Sequence, residues 1–127
     1  MSGLKNEDIN GLDVKKGLSL VANNKTVYIK LLKSFIANAF CDQLIGAVNS
    51  GDLDQVRQKA HTFKGVAGNM HMHRLYELSR AIESDAKDGL AVSASDEIIS
   101  SIVEENRLTL ESVNMLLENP EILDSLN

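Results

Sequence analysis

An all-α fold is predicted for this chain, and three observations predict it. The 127 residues hold a single proline, Pro120, no tryptophan and only 4% aromatic residues, so little in them breaks a helix or favours a strand. Apolar residues recur at i, i+3, i+4 and i+7 instead of alternating. Gly, Asn and Ser punctuate the chain at intervals suited to short loops. Short loops between helices of this length predict an antiparallel up-down-up-down four-helix bundle, with a short additional helix at the N-terminus.

The elements follow in order. Residues 1–10 are polar and expected to form a flexible N-terminal segment, leaving one helical domain over 11–127. Val14, Leu18 and Val21 make a short amphipathic helix closed by Asn23 and Asn24, and Asn24 can cap the next one. That helix is expected over about 25–48, with Tyr28, Leu31, Leu32, Phe35 and Ala39 on one face. Its apolar face then drifts to Leu44, Ile45 and Val48, which predicts a bend or break near Phe40 to Asp42. Ser50-Gly51-Asp52 reads as a turn and N-cap. The helix after it carries Leu53, Val56, Ala60, Phe63, Ala67 and Met70 at a 3.6-residue period. A reversal through Gly68-Asn69 to His71 leads to a helix with Leu75, Leu78, Ile82 and Ala86, which Gly89 ends. Ser93 with Asp96 offers a cap for the last helix. Its expected apolar stripe is Ile99, Ile102, Val103, Leu110, Val113 and Leu117, interrupted by Asn106 and stopped by Asn119-Pro120.

Composition removes several function classes. A net charge of −5 and a pI near 5.1 disfavour nucleic acid, which needs a basic face to replace released counterions. There is no Lys/Arg run for an anionic membrane surface, no apolar core in Met1–Asn10 for a signal peptide, and no apolar run long enough for a bilayer. One cysteine, Cys41, cannot form an internal disulfide, so a cytoplasmic location is expected; the chain is also expected to be a monomer.

The informative stretch is Ala60-His61-Thr62-Phe63-Lys64-Gly65-Val66-Ala67-Gly68-Asn69. On a helix, Ala60, Phe63 and Ala67 face the core, whereas His61, Lys64, Gly65 and Gly68 stand at i, i+3, i+4 and i+7 on an outward face. Two glycines within a helix cost about 1 kcal/mol each relative to Ala. Access accounts for that cost: Gly65 removes a side chain that would block the imidazole, and Gly68 is expected to extend the bare strip by a turn. Lys64 supplies a positive charge within reach of an anion attached to His61. A neutral imidazole nitrogen is nucleophilic near neutral pH, so the set suits transient phosphorylation of the ring.

This stretch resembles the signature of histidine-containing phosphotransfer (HPt) domains, and the similarity runs from about Gly11 to Leu117. It includes Leu12-Asp13, Tyr28 with Leu31-Leu32 and Phe35, Leu53 with Val56, and Ala81-Ile82-Glu83. The resemblance implies a four-helix bundle that takes phosphate from an aspartate on one receiver domain and passes it to another. It implies His61 as phosphoacceptor, Lys64 as the phosphate-stabilising cation and Gly65 as the docking gap. Glu83 falls where the family carries a Gln or Glu that orients the ring. The partners implied are the receiver domains of a hybrid sensor kinase and of a response regulator. No cofactor is expected on this chain, and Mg²⁺ is expected on the receiver. His71 departs from the family's frequent Gly, which bears on the geometry of the reversal.

Other readings stand beside these. Gly65 also fits a gap for a neighbouring helix, Glu83 an ordinary surface carboxylate, and Arg57 either a docking residue for an acidic surface or a bystander. His71 and His73, two apart, do not share a helix face and lack a completing ligand shell, so no metal site is expected. Cys41 reads as a small core residue. A histidine-kinase dimerisation helix carries an acidic residue after its histidine and a proline five residues on; here Thr62 and Val66 occupy those positions, and no ATP-binding glycine motif is present. Autokinase activity is therefore not expected. The remaining alternative is a helical adaptor that binds receiver-like partners without being phosphorylated.

Overall fold

The computed structural model describes residues 4–126, and every regular element among them is helical. A 3₁₀ turn over Asn6–Asp8 precedes α1 (Val14–Leu20), α2 (Lys25–Asn38), α3 (Phe40–Ser50), α4 (Leu53–Asn69), α5 (His73–Lys87), α6 (Glu97–Glu118) and α7 (Ile122–Ser125). The all-α expectation holds. α4 packs against both α3 and α5, and α6 against α2, α3 and α5, around one apolar core.

The caps explain most boundaries. Asp13 accepts from the Lys16 N–H to start α1, Asn24 from Val27 N–H to start α2, and Asp52 from Asp54 and Gln55 N–H to start α4. Gly89, at φ 77°, takes the left-handed conformation just beyond α5. Asp96 differs from expectation: its carboxylate turns back to the Ser93 N–H at 2.8 Å and caps nothing in α6.

The expected helix over 25–48 is two helices, and the break falls at Ala39, with φ 48° and ψ 51°. A left-handed L-residue costs about 1–2 kcal/mol. The turn is compensated by aromatic packing, because it folds Phe40 back onto Phe35 (ring centroids 5.9 Å apart) and onto Phe63 of α4 (6.2 Å). By length and composition alone Lys25–Ser50 is apolar enough to cross a membrane, contrary to the sequence reading. The break at Ala39 divides that stretch. Tyr28, Leu32 and Phe35 on one side and Cys41, Leu44, Ala47 and Val48 on the other are buried in the core.

α6 rotates its stripe relative to expectation. Val103 is exposed, and Thr109, Ser112 and Leu116 are buried beside Ile99, Ile102 and Val113. The N-terminal segment covers the two polar members of that stripe. Ser112 Oγ donates to the Asn10 carbonyl at 2.8 Å, and Thr109 lies where a side chain on Gly11 would be. Within the segment expected to be flexible, residues 1–3 lie outside the described residues. Ile9 is buried and Asn6 donates to Asp13 at 2.8 Å.

Gly17 shows how tightly α1 is seated. A Cβ there would stand 2.7 Å from a ring carbon of the fully buried Tyr28. Gly17→Ala should therefore lower stability by about 1–3 kcal/mol, through overpacking that outweighs alanine's better helix propensity. A chemical-denaturation midpoint at or above wild type would show that the ring yields freely.

Candidate functional site

α4 sets the site. Val56, Ala60, Phe63 and Ala67 are buried along its inner side, which leaves His61, Thr62, Gly65 and Asn69 exposed. Phe63 anchors the middle of the helix among Phe35 and Phe40, so the His61 backbone is held by a packed aromatic cluster two residues away. The His61 side chain is 66% exposed.

Behind the ring stands Glu83 of α5, buried with its side chain only 12% exposed. Its two oxygens are divided between two partners. Oε2 lies 2.6 Å from His61 Nδ1, and Oε1 accepts from Lys64 Nζ at 2.5 Å. Burial alone would push the Glu83 carboxyl upward, but the bonds from Lys64 and His61 outweigh it and hold the group below the ordinary range. An ionised carboxylate can only accept hydrogen bonds. The proton of the neutral ring therefore sits on Nδ1, and Nε2 carries the lone pair.

The sequence-predicted residues separate on this surface. His61, Lys64 and Glu83 come together. A Cβ on Gly65 would meet nothing within 4 Å, which argues against the reading of Gly65 as a gap for a neighbouring helix. Gly68 corrects the expectation of a second bare turn: its space is filled by the Tyr76 ring, 3.1 Å from a Cβ built there. The open strip ends at Gly65. Arg57 is partly exposed and bonds to Asp54 at 3.0 Å, so its charge is already partnered. Lys64 was expected to be poised for an anion on His61 and instead rests on Glu83.

Away from this face, Cys41 is a core residue whose thiol is pushed up to about 11, first by burial and then by Asp42. His71 and His73 meet edge to face with centroids 5.7 Å apart. His71 sits at φ 55°, so the reversal where the family often has Gly is made here by a left-handed histidine. Among the described residues no three His, Cys, Asp or Glu side chains gather as a metal site. Tyr76 had no place in the sequence reading. Its signal was its i, i+7 spacing to Glu83, which puts both on the face of α5 turned to α4.

A solvent-exposed histidine ring on a helix, a buried carboxylate behind it and a bare turn beside it are what a histidine phosphotransfer module requires. The family model of the Hpt domain matches residues 31–119, and the chain belongs to that family. The fold agrees: the crystal structure of the HPT domain of an Hpt sensor hybrid histidine kinase from Shewanella superposes with a TM-score of 0.76 at 17% identity, covering 87% of this chain and 97% of that one. No curated protein matches. Hpt domains are phosphotransfer modules of phosphorelays, not kinases, and they interact with receiver domains.

Proposed function

We propose that this chain is a phosphocarrier in a multistep His–Asp relay, phosphorylated on His61 Nε2. It accepts the phosphoryl group from the receiver domain of a hybrid sensor kinase and passes it to the receiver of a response regulator. One observation carries this reading: the Glu83 carboxylate on Nδ1 of a ring that is otherwise open to solvent.

Nε2 attacks phosphorus, and the N–P bond forms as the P–O bond to the receiver's aspartate breaks and its carboxylate departs. The Nδ1 proton stays on the ring, which becomes cationic, and Glu83 faces that developing charge at hydrogen-bond distance. Lys64 is close enough to shift from Glu83 to the phosphoryl oxygens. Gly65 gives the receiver its approach, and Arg57 can add to docking once it is released from Asp54. The Mg²⁺ that neutralises charge in the transfer belongs to the receiver's acidic pocket. An antiparallel up-down-up-down bundle, a single helical domain, a monomeric state and a cytoplasmic location complete the reading. The short connections between α3, α4 and α5 support the bundle.

Incubation with aspartyl-phosphorylated receiver domains tests the proposal, and acid-labile, base-stable phosphate on this chain is the expected product. If the chain binds receivers but takes up no phosphate, it is an adaptor. Gly65 gives a finer test. Gly65→Ala should hold or raise stability by up to about 1 kcal/mol, whereas Gly65→Gln should fold and transfer more slowly. A Gln variant that transfers at the wild-type rate would remove the docking role.

A further inference from the structure

Two contacts fix the register of α4 against α5. His61 meets Glu83, and the space over Gly68 is filled by Tyr76. Seven residues forward on α4 match seven residues back on α5, so the two helices run antiparallel. One turn beyond His61, Lys64 therefore stands level with Arg80. Arg80 is i+4 from Tyr76 and i−3 from Glu83, on the face those residues define, and it is exposed.

No carboxylate among the described residues bonds to Arg80. The two within a turn of it on α5 are engaged elsewhere: Glu83 with His61 and Lys64, and Glu77 with Arg74. On the α4 side the residue next to Lys64, Gly65, is uncharged and exposed. An unneutralised guanidinium beside the nucleophile runs against a net charge of −5, and it adds to the Lys64 cation one turn from His61. A receiver domain that binds Mg²⁺ around its aspartate must present carboxylates there. From this complementarity we infer that Arg80 is a docking residue that recognises the acidic rim of the phosphorylated receiver. The inference rests on the phosphotransfer reading and adds to it a specificity-determining contact.

A rim charge acts on encounter and not on the chemistry of the bound complex. The test uses the receiver domain that phosphorylates the wild-type chain fastest, charged with acetyl phosphate, and compares wild type, Arg80→Glu, Arg80→Lys and Lys33→Glu. Lys33 is exposed on α2, away from this face, and its reversal changes net charge equally. In single-turnover transfer, Arg80→Glu should raise the half-saturating concentration of phosphorylated receiver about tenfold at low salt, leave the limiting transfer rate of the bound complex unchanged, and lose most of that deficit near 1 M salt, where the Debye length is about 3 Å. Arg80→Lys should recover most of the loss, and Lys33→Glu should behave as wild type. An unchanged half-saturating concentration in Arg80→Glu, a fall in the limiting transfer rate instead, or an equal defect in Lys33→Glu would overturn the inference while leaving the phosphotransfer reading intact. A wild-type chain that takes phosphate from no receiver would overturn both.

Discussion

His61→Gln is expected to reduce phosphate acceptance from any receiver to background while leaving the fold intact. The effect is total because no other side chain among the described residues reproduces the arrangement. His71 is half-buried at a left-handed backbone position, and the exposed His73 stands against it, with no carboxylate among the described residues bonded to either ring. Cys41 is buried, and its thiol is held protonated. Stability should move by no more than about 0.5 kcal/mol, because the replaced ring is largely exposed. Phosphoprotein electrophoresis after alkaline and acid treatment reads the first quantity, and a denaturation curve the second. Residual acid-labile phosphate near the wild-type level would mean that another histidine is the acceptor.

Glu83→Ala is expected to slow transfer within the bound complex by about 10–100-fold, by analogy with the loss of carboxylates that orient metal-ligating histidines. Three effects act together. Both ring tautomers become populated, the cation forming on the ring loses its counter-charge, and Lys64 loses its resting partner. Glu83→Gln should fall between, since its amide oxygen still accepts from Nδ1 but carries no charge. Receiver affinity should hardly change in either variant, because Glu83 lies behind the imidazole with little surface of its own. Single-turnover transfer rates and receiver affinity by calorimetry separate these quantities. If affinity falls and the rate in the complex does not, Glu83 is a docking residue.

The fold class and the axis of the site were legible because both rest on periodicity. A 3.6-residue apolar stripe in α4 places Ala60, Phe63 and Ala67 inside and thereby puts His61 outside, whatever packs against it. What was not legible depended on partners distant in the chain. Nothing about Gly68 in the sequence tells that Tyr76 lies over it, since a glycine left open for a partner and one covered by a ring read alike. Lys64 and Glu83 are 19 residues apart, and helical spacing within α4 is silent about an ion pair to α5. The break at Ala39 was expected only as a bend nearby, because alanine carries no left-handed preference and the Phe35–Phe40–Phe63 cluster that compensates it is tertiary. The α6 stripe was misread because Thr109 and Ser112 are buried by the N-terminal segment, an arrangement their polarity argues against.

The central claim is that Glu83 fixes the proton on Nδ1 and so dedicates Nε2 of His61 to the phosphoryl group. Heteronuclear NMR of the ¹⁵N-histidine-labelled phosphorylated chain tests it directly, by locating the phosphorus–nitrogen coupling on the ring. Coupling to Nε2 of His61, with Nδ1 still protonated, is the predicted result. Coupling to Nδ1, or to either nitrogen of His71 or His73, would contradict it.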